Sequence, residues 1–226
     1  MPPPSPSPPP TGHEARSSRT RSRLIEAAIG VIGTTGYDGA STRALAKVAG
    51  TSLSAIPYHF GGKRELYLAA AEMIADYAAG RFREAVAVLD DEGIPDRTTR
   101  LEQAFGNFLR IVLENAEPHS WTSFVARCAH DNDEAFAVIH GRAVAPMVER
   151  LVQGAAEITG RPSGDETLRL RISAMVMAIV GFRLLHGLML RDMGWAQIGA
   201  DRFGQIEDMV RDLCRSDFLG ARHDLR

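Results

Sequence analysis

Residues 41–63, STRALAKVAGTSLSAIPYHFGGK, decide the fold. They read as two short helices joined by a tight turn at Gly50-Thr51-Ser52. Ser41 or Thr42 caps the first helix, because a hydroxyl oxygen there accepts a hydrogen bond from an orphan N–H of the first turn. Leu45, Ala46 and Ala49 form its apolar stripe. Ala46 is small enough for a second helix to cross nearby, and Gly50 takes the left-handed conformation of a turn at no steric cost. The second helix is expected to start near Ser52, turn Ile56 inward and stop around Phe60-Gly61-Gly62. Pro57 falls inside it, lacks an N–H and should loosen or shorten it. The pattern is that of a helix-turn-helix, whose second helix lies in the DNA major groove.

Outward from the motif the periodicity stays helical and strand signals are weak. A helix over 19–35 puts Leu24, Ala27, Ala28, Val31 and Ile32 on one face. A long connecting helix is predicted over 63–90 and ends at Asp91-Glu92-Gly93-Ile94-Pro95. Further helices are predicted over 97–115, 118–130, 133–159, 165–192 and 197–217, with Pro146 expected to kink the 133–159 helix. The chain is therefore all-α, with about nine helices. Residues 1–18 read as a disordered Pro/Ser-rich tail, 19–65 as the helix-turn-helix domain and 66–226 as a second helical domain.

Composition narrows the function. The net charge of −2 hides an asymmetry. Residues 1–63 hold seven Lys and Arg against three acids, and the rest of the chain is acidic. A basic head on an acidic body fits a polyanion partner for the head alone. No apolar run reaches the ~18 uncharged residues of a membrane span; the candidate over 172–190 is interrupted by Arg183 and His186. Residues 1–10, MPPPSPSPPP, have no leader-like apolar region, and Cys128 and Cys214 offer neither metal spacing nor a disulfide framework. A reducing cytoplasm is the expected location. There is no nucleotide loop, nucleophile elbow, H-E-x-x-H or paired carboxylates on one helix face, so no catalytic residue, cofactor or metal is assigned.

The residues around the motif resemble the DNA-binding domain of the TetR family of bacterial transcriptional regulators. The preceding helix, RTRSRLIEAAIGVIGTTGYDGAS, carries Ala27-Ala28 and the Gly36-Tyr37 turn. Ser41-Thr42-Arg43 opens the motif, and Tyr58-His59-Phe60-x-x-Lys63 followed by Arg64-Glu65-Leu66 closes it. The resemblance covers residues 19 to 75. The variant Ile56-Pro57-Tyr58-His59-Phe60-Gly61-Gly62-Lys63 is similar to the CecR-like subgroup. So are the segments Trp121 to Arg127, Ala145-Pro146 and Gly181-Phe182-Arg183.

For DNA binding, Thr51, Ser52, Leu53, Ser54 and Ala55 are expected on the outer face at the start of the second helix. The hydroxyls suit base edges or phosphates, and Leu53 or Ala55 suits a thymine methyl. The resemblance implies that Thr42 and Arg43 contact backbone or a guanine, and that Tyr58, His59 and Lys63 hold phosphates. Phe60 reads instead as packing of the small core. One recognition helix covers only a few base pairs, so a homodimer on a palindromic operator in double-stranded DNA is expected. The resemblance places the dimer surface on the last two helices, where Ala174, Ala178, Gly181 and Gly187 permit close packing.

The distal half is expected to bind an unknown small-molecule effector. Candidates are Phe105, Phe108, Leu109, Trp121, Phe124, Phe136, Ile139 and Met177, with Arg127, His140, Arg183 and His186 as polar groups. A buried Arg183 needs a partner, either an internal acid such as Glu149 or an acidic group of a ligand. The subgroup tends to place an Arg-Glu pair at Arg127, but here Cys128 replaces the acid. Cys128 reads as a buried inert thiol or a redox sensor activated by Arg127 and His130. Metal sensing through His119, His130, Asp131 and His140 lacks recognised ligand spacing. The leading expectation is a ligand-responsive transcriptional repressor; a non-specific DNA binder and an all-helical enzyme are the alternatives.

Overall fold

Leu24, Ala27, Ala28 and Ile32 recur at helical spacing, and all four are buried along one face of the first helix. A computed structural model describes residues 12–114 and 118–219. Helix α1 spans Gly12–Gly39, with a break at Gly36 (φ 76°, ψ 168°) that only glycine adopts without strain. Helices α2 (Thr42–Val48) and α3 (Ala55–Phe60) complete a three-helix head. Helix α4 (Lys63–Val86) runs from the head into the body, which is built from α5 (Arg97–Leu113), α6 (His119–Asp131), α7 (Glu134–Ile139) and α8 (Ala145–Thr159), then α9 (Glu166–Leu184), α10 (His186–Met193) and α11 (Ala200–Leu219). No strand occurs among the described residues.

The helix starts follow from side-chain caps. Ser41 Oγ accepts from the Ala44 N–H at 3.1 Å. Asp96, Asp133 and Asp165 likewise accept from the first turns of α5, α7 and α9. Each satisfies a donor that the helix leaves orphaned.

The sequence-based expectations need correction at three places. Residues 12–18, expected in the tail, are the first turns of α1; residues 1–11 lie outside the described residues. Extending a helix that is already nucleated is far easier than starting one. The 133–159 helix does not run as one α-helix through Pro146. It is relieved just before it by a wide π-turn at His140–Val144, which leaves Pro146 in the first turn of α8, where the missing N–H costs nothing. The 165–192 helix is broken at Leu185 into α9 and α10.

The core is also divided differently from the expected boundary after residue 65. The head cluster does not stop there: it takes in Leu66, Tyr67, Ala70 and Ile74 from α4, then Phe124 and Cys128 from α6 and Ile139 from α7. A second cluster joins the end of α4 to α5, α8, α9 and α11, around Phe105, Phe108, Leu151 and Ile172. Helix α4 spans both.

Helices α1 and α6 touch backbone to backbone. A Cβ on Gly33 would lie 2.9 Å from the Ser120 carbonyl oxygen and 3.1 Å from the Phe124 nitrogen, whereas one on Gly30 meets nothing within 4 Å. Helix propensity alone favours alanine at both sites by about 0.5–1 kcal/mol. We predict that Gly30→Ala raises the free energy of unfolding in urea by that order, while Gly33→Ala lowers it by about 1–3 kcal/mol of overpacking strain. Equal stabilisation by both would show that α1 and α6 are not held this closely.

Candidate nucleic-acid interface

Ala46 is buried at the crossing of α2 and α3, and Ile56 is buried beneath α3. Gly50 turns the chain in the left-handed region (φ 59°), and the Thr51 N–H donates to the Ala46 carbonyl at 3.0 Å. The helix-turn-helix is thus formed as its residues require. Its second helix starts later than the sequence suggested. Residues 51–54 form a turn, and α3 begins at Ala55. Proline explains this: a start at Ser52 would place Pro57 in the helix interior, whereas a start at Ala55 keeps it in the first turn.

This shift sorts the expected DNA contacts. Ser52, Leu53 and Ser54 are exposed, and the two serine hydroxyls share a hydrogen bond at 3.0 Å. Thr42 and Thr51 are half-buried and Arg43 is exposed at the start of α2. Ala55 is a correction: it is buried as the first residue of α3, which leaves Leu53 as the apolar group facing outward. Tyr58 is the most exposed large apolar side chain here, at 75%. Its ring stands edge-on to that of His59 at 4.9 Å. Phe60 packs against the head core, with the Arg21 guanidinium 5.0 Å over its ring. Lys63 is half-buried, and its ammonium sits 4.2 Å over the Tyr37 ring. That cation–π contact orients the lysine at the mouth of α4. Arg23 reaches the Gly50 carbonyl at 3.3 Å, a contact with the motif's turn that the sequence reading did not find.

The expected effector residues do not converge on one cavity. Phe105, Phe108 and Leu109 are sealed in the distal core, where Phe108 meets Phe82 edge-on. Phe124 and Ile139 belong to the head-side core, and Trp121 stands edge-on to Tyr77. Phe136 is half-buried beside an exposed His140. Met177 is 70% exposed and His186 is exposed. Arg127 turns away from the body: its Nε donates to the Gly33 carbonyl at 3.0 Å and Nη2 to that of Thr34 at 2.8 Å. Arg183 Nε donates to Thr122 Oγ1 at 3.0 Å, and Glu149 pairs with Arg169. Helical periodicity identified apolar faces but not which neighbour each face meets.

The structure adds a groove of about 560 Å³ between α5 and α11, lined by Thr99, Glu102, Gln103, Arg110, Glu207 and Arg215 among others. Glu102 is buried and held by Arg215 through Nε at 2.7 Å and Nη2 at 3.1 Å. The signal for it was legible: an acid on the apolar stripe formed by Leu101, Phe105 and Leu109 must find a cation. Among the described residues no three His, Cys, Asp or Glu side chains stand close enough to share a metal ion. No single described helix is long and apolar enough to cross a membrane.

Cys128 is fully buried, and burial pushes its thiol up to about 11. The Tyr67 hydroxyl lies 2.5 Å from Asp133 Oδ2 and 3.1 Å from Cys128 Sγ. Tyr67 has one proton, which goes to the carboxylate, so the thiol must keep its own to donate to the phenol oxygen. This is the environment of an inert thiol.

A three-helix head with an exposed motif, carried on a helical body by one continuous helix, is the architecture of a DNA-binding transcriptional regulator. Residues 24–70 match the family described as bacterial regulatory proteins, tetR family. Residues 98–221 match the C-terminal domain of the HTH-type transcriptional dual regulator CecR. The chain belongs to the TetR family of transcriptional regulators and is CecR-like in its body. It is similar to the HTH-type transcriptional dual regulator CecR of Shigella flexneri, with 28% identity over 90% of this chain and 92% of that one. It is also similar to the HTH-type transcriptional repressor AcnR of Corynebacterium glutamicum, with 30% identity over 48% of each chain. Its fold is shared with the TetR-like regulator from Rhodococcus sp. RHA1 (TM-score 0.58, 22% identity, 89% of this chain and 96% of that one). The fatty acid degradation regulator FadR from Bacillus halodurans has it too (TM-score 0.58, 15% identity, 91% and 97%).

The Cys128 environment makes a pH prediction. An unfolded thiol ionises near its ordinary 9.0 and the folded one near 11. Below pH 9 both are protonated and the difference does not act. Between 9 and 11 only the unfolded chain can ionise readily, so rising pH favours unfolding. The urea midpoint of the wild type should fall across this window more steeply than that of Cys128→Ala. Parallel profiles would show that the thiol is not held neutral.

Proposed function

We propose that this chain is a homodimeric repressor that grips a palindromic operator with two copies of α3 and its preceding turn, and is released by a small molecule bound in the body. The observation that carries the DNA reading is the motif's outer surface. Ser52, Leu53, Ser54 and Tyr58 project from a buried base of Ala46, Ala55 and Ile56. Short hydroxyl side chains there suit base edges and phosphates, and Tyr58, His59 and Lys63 are spaced to hold backbone on either side. The AcnR relative, a repressor by name, supports the negative sense; the CecR relative is a dual regulator.

Homodimerisation is supported by α9. Its inner side buries Leu168, Ile172, Met175 and Ile179, while Leu170 (68% exposed), Ala174, Met177 and Ala178 lie on the outer side. Met209 and Leu213 are exposed on α11. An apolar stripe of this length on a single chain is what a second copy would cover. Release requires the effector to favour one arrangement of the heads by a few kcal/mol over the other. Helix α4 is placed to carry the change, because it is braced against the body by Arg64–Glu134 and by Arg142 to Glu72 and Asp76.

The test is binding to the DNA immediately upstream of the protein's own gene at ~150 mM salt, where non-specific contacts are weak. Wild type should bind as a dimer with sequence selectivity. Tyr58→Ala/Lys63→Ala should bind at least about tenfold more weakly, with a salt slope lower by about 1 per protomer. Leu170→Glu/Met177→Glu should sediment as a monomer and lose operator affinity while keeping its helical circular dichroism. Selective binding untouched by the Tyr58/Lys63 change would overturn the assignment of those contacts.

A further inference from the structure

Among the described side chains, the first three turns of α1 bury no apolar group. Between Gly12 and Arg23 the one apolar side chain is Ala15, and the first buried residue among those whose side chains are described is Leu24. A helix that is polar all round gains nothing from burial. Its charges are nearly all of one sign. Arg16, Arg19, Arg21 and Arg23 follow the first turn, and Glu14 is the one acid among them. Like charges three and four residues apart on a helix, as at Arg16/Arg19 and Arg19/Arg23, repel one another. The hydroxyls of Thr20 and Ser22 are turned back onto the carbonyls of Arg16 and Ser18. The outward chemistry of this stretch is therefore arginine.

Two of these arginines fix the stretch against the motif. Arg23 reaches the Gly50 carbonyl in the turn that precedes α3, and Arg21 lies over Phe60 at the end of α3. A Cβ on Gly50 would fall 2.3 Å from Arg23 Nη2, so Arg23 lies directly on that turn. Arg16 and Arg19 share the helical stripe of Arg23, at i−7 and i−4, and both are exposed. They continue from the turn for about 10 Å along the helix axis.

We propose that this N-terminal extension of α1 is a second DNA contact, in which Arg16 and Arg19 lie along the phosphate backbone flanking the site gripped by α3. The inference rests on the DNA-binding reading above. A strand offers a phosphate about every 3.4 Å of duplex axis, so a 10 Å arginine track matches roughly three of them. Phosphates would also relieve the mutual repulsion of arginines three and four residues apart. The stretch lacks the apolar face that an interfacial helix inserts into lipid, which favours nucleic acid as its occupant. Such contacts add affinity and position without reading sequence.

The experiment measures the dependence of log K on log salt for full-length protein on a ~40-bp duplex from upstream of its own gene. Wild type, Arg16→Ala/Arg19→Ala and Arg16→Lys/Arg19→Lys are compared. Loss of two phosphate contacts should flatten the slope by about 1.8 per protomer. Footprint position, sequence selectivity and thermal midpoint should stay unchanged. The lysine pair should restore the slope, because neutralising a phosphate needs charge and not a fork. Amide exchange of residues 13–22 should slow when the wild type binds DNA. Selective binding with the same slope in the alanine pair would overturn the inference and leave the DNA reading intact. Absence of selective binding by the wild type would overturn both.

Discussion

The structure depends on how closely α1 approaches α6. Gly33 lets the two backbones meet, and no side chain fits between them. Gly36 then leaves the helical region, and Arg127 from α6 donates to the carbonyls of Gly33 and Thr34 just before that break. A guanidinium is suited to this, since its rigid fork donates to two acceptors at once. The helix that supports the motif is thereby held by the body and not by the head alone.

That contact changes what the head is. Its core is completed from both sides of the expected boundary, with Phe124 and Tyr67 in contact at 5.3 Å and Tyr67 against Tyr37 at 4.8 Å. Tyr67 also ties α4 to Cys128 at the end of α6 and to Asp133, the cap of α7. A buried hydroxyl with two partners is satisfied, and removing either partner would leave polar groups stranded. Any change in the angle of α6 or α7 must therefore act on α1 and α4 together. Arg183 to Thr122 adds a link from α9 onto α6. Packed and hydrogen-bonded groups thus run without a gap from the body to the helices that carry the motif.

Local chemistry made much of the fold legible in advance. Ser41 was legible as a cap because its side chain reaches its own helix's first N–H groups. Gly50 and Ala46 mark the turn because backbone freedom and small size are properties of single residues. The body was less legible. Phe105 and Phe124 look alike in periodicity, yet one fills the distal core and the other the head core. Apolar residues of one size are interchangeable in a pattern, and only the arrangement of helices assigns them to neighbours. Pro57 and Pro146 were read correctly as disturbances. Each is accommodated by moving a helix start, so that the proline falls in a first turn.

The sequence by itself determined the all-helical class, the helix-turn-helix at residues 41–63, its Ser41 cap and the basic head, because these rest on interactions within a few residues. Tertiary structure decided which sides were inner. It buried one side of α9 and left Leu170 and Met177 outside, buried Ala55 and left Tyr58 out, and turned Arg127 toward α1. It also placed Arg23 on the turn at Gly50 across 27 residues of chain. Such outcomes depend on the crossing of helices distant in sequence. That crossing is set by the packing of many side chains at once, and no local pattern records it.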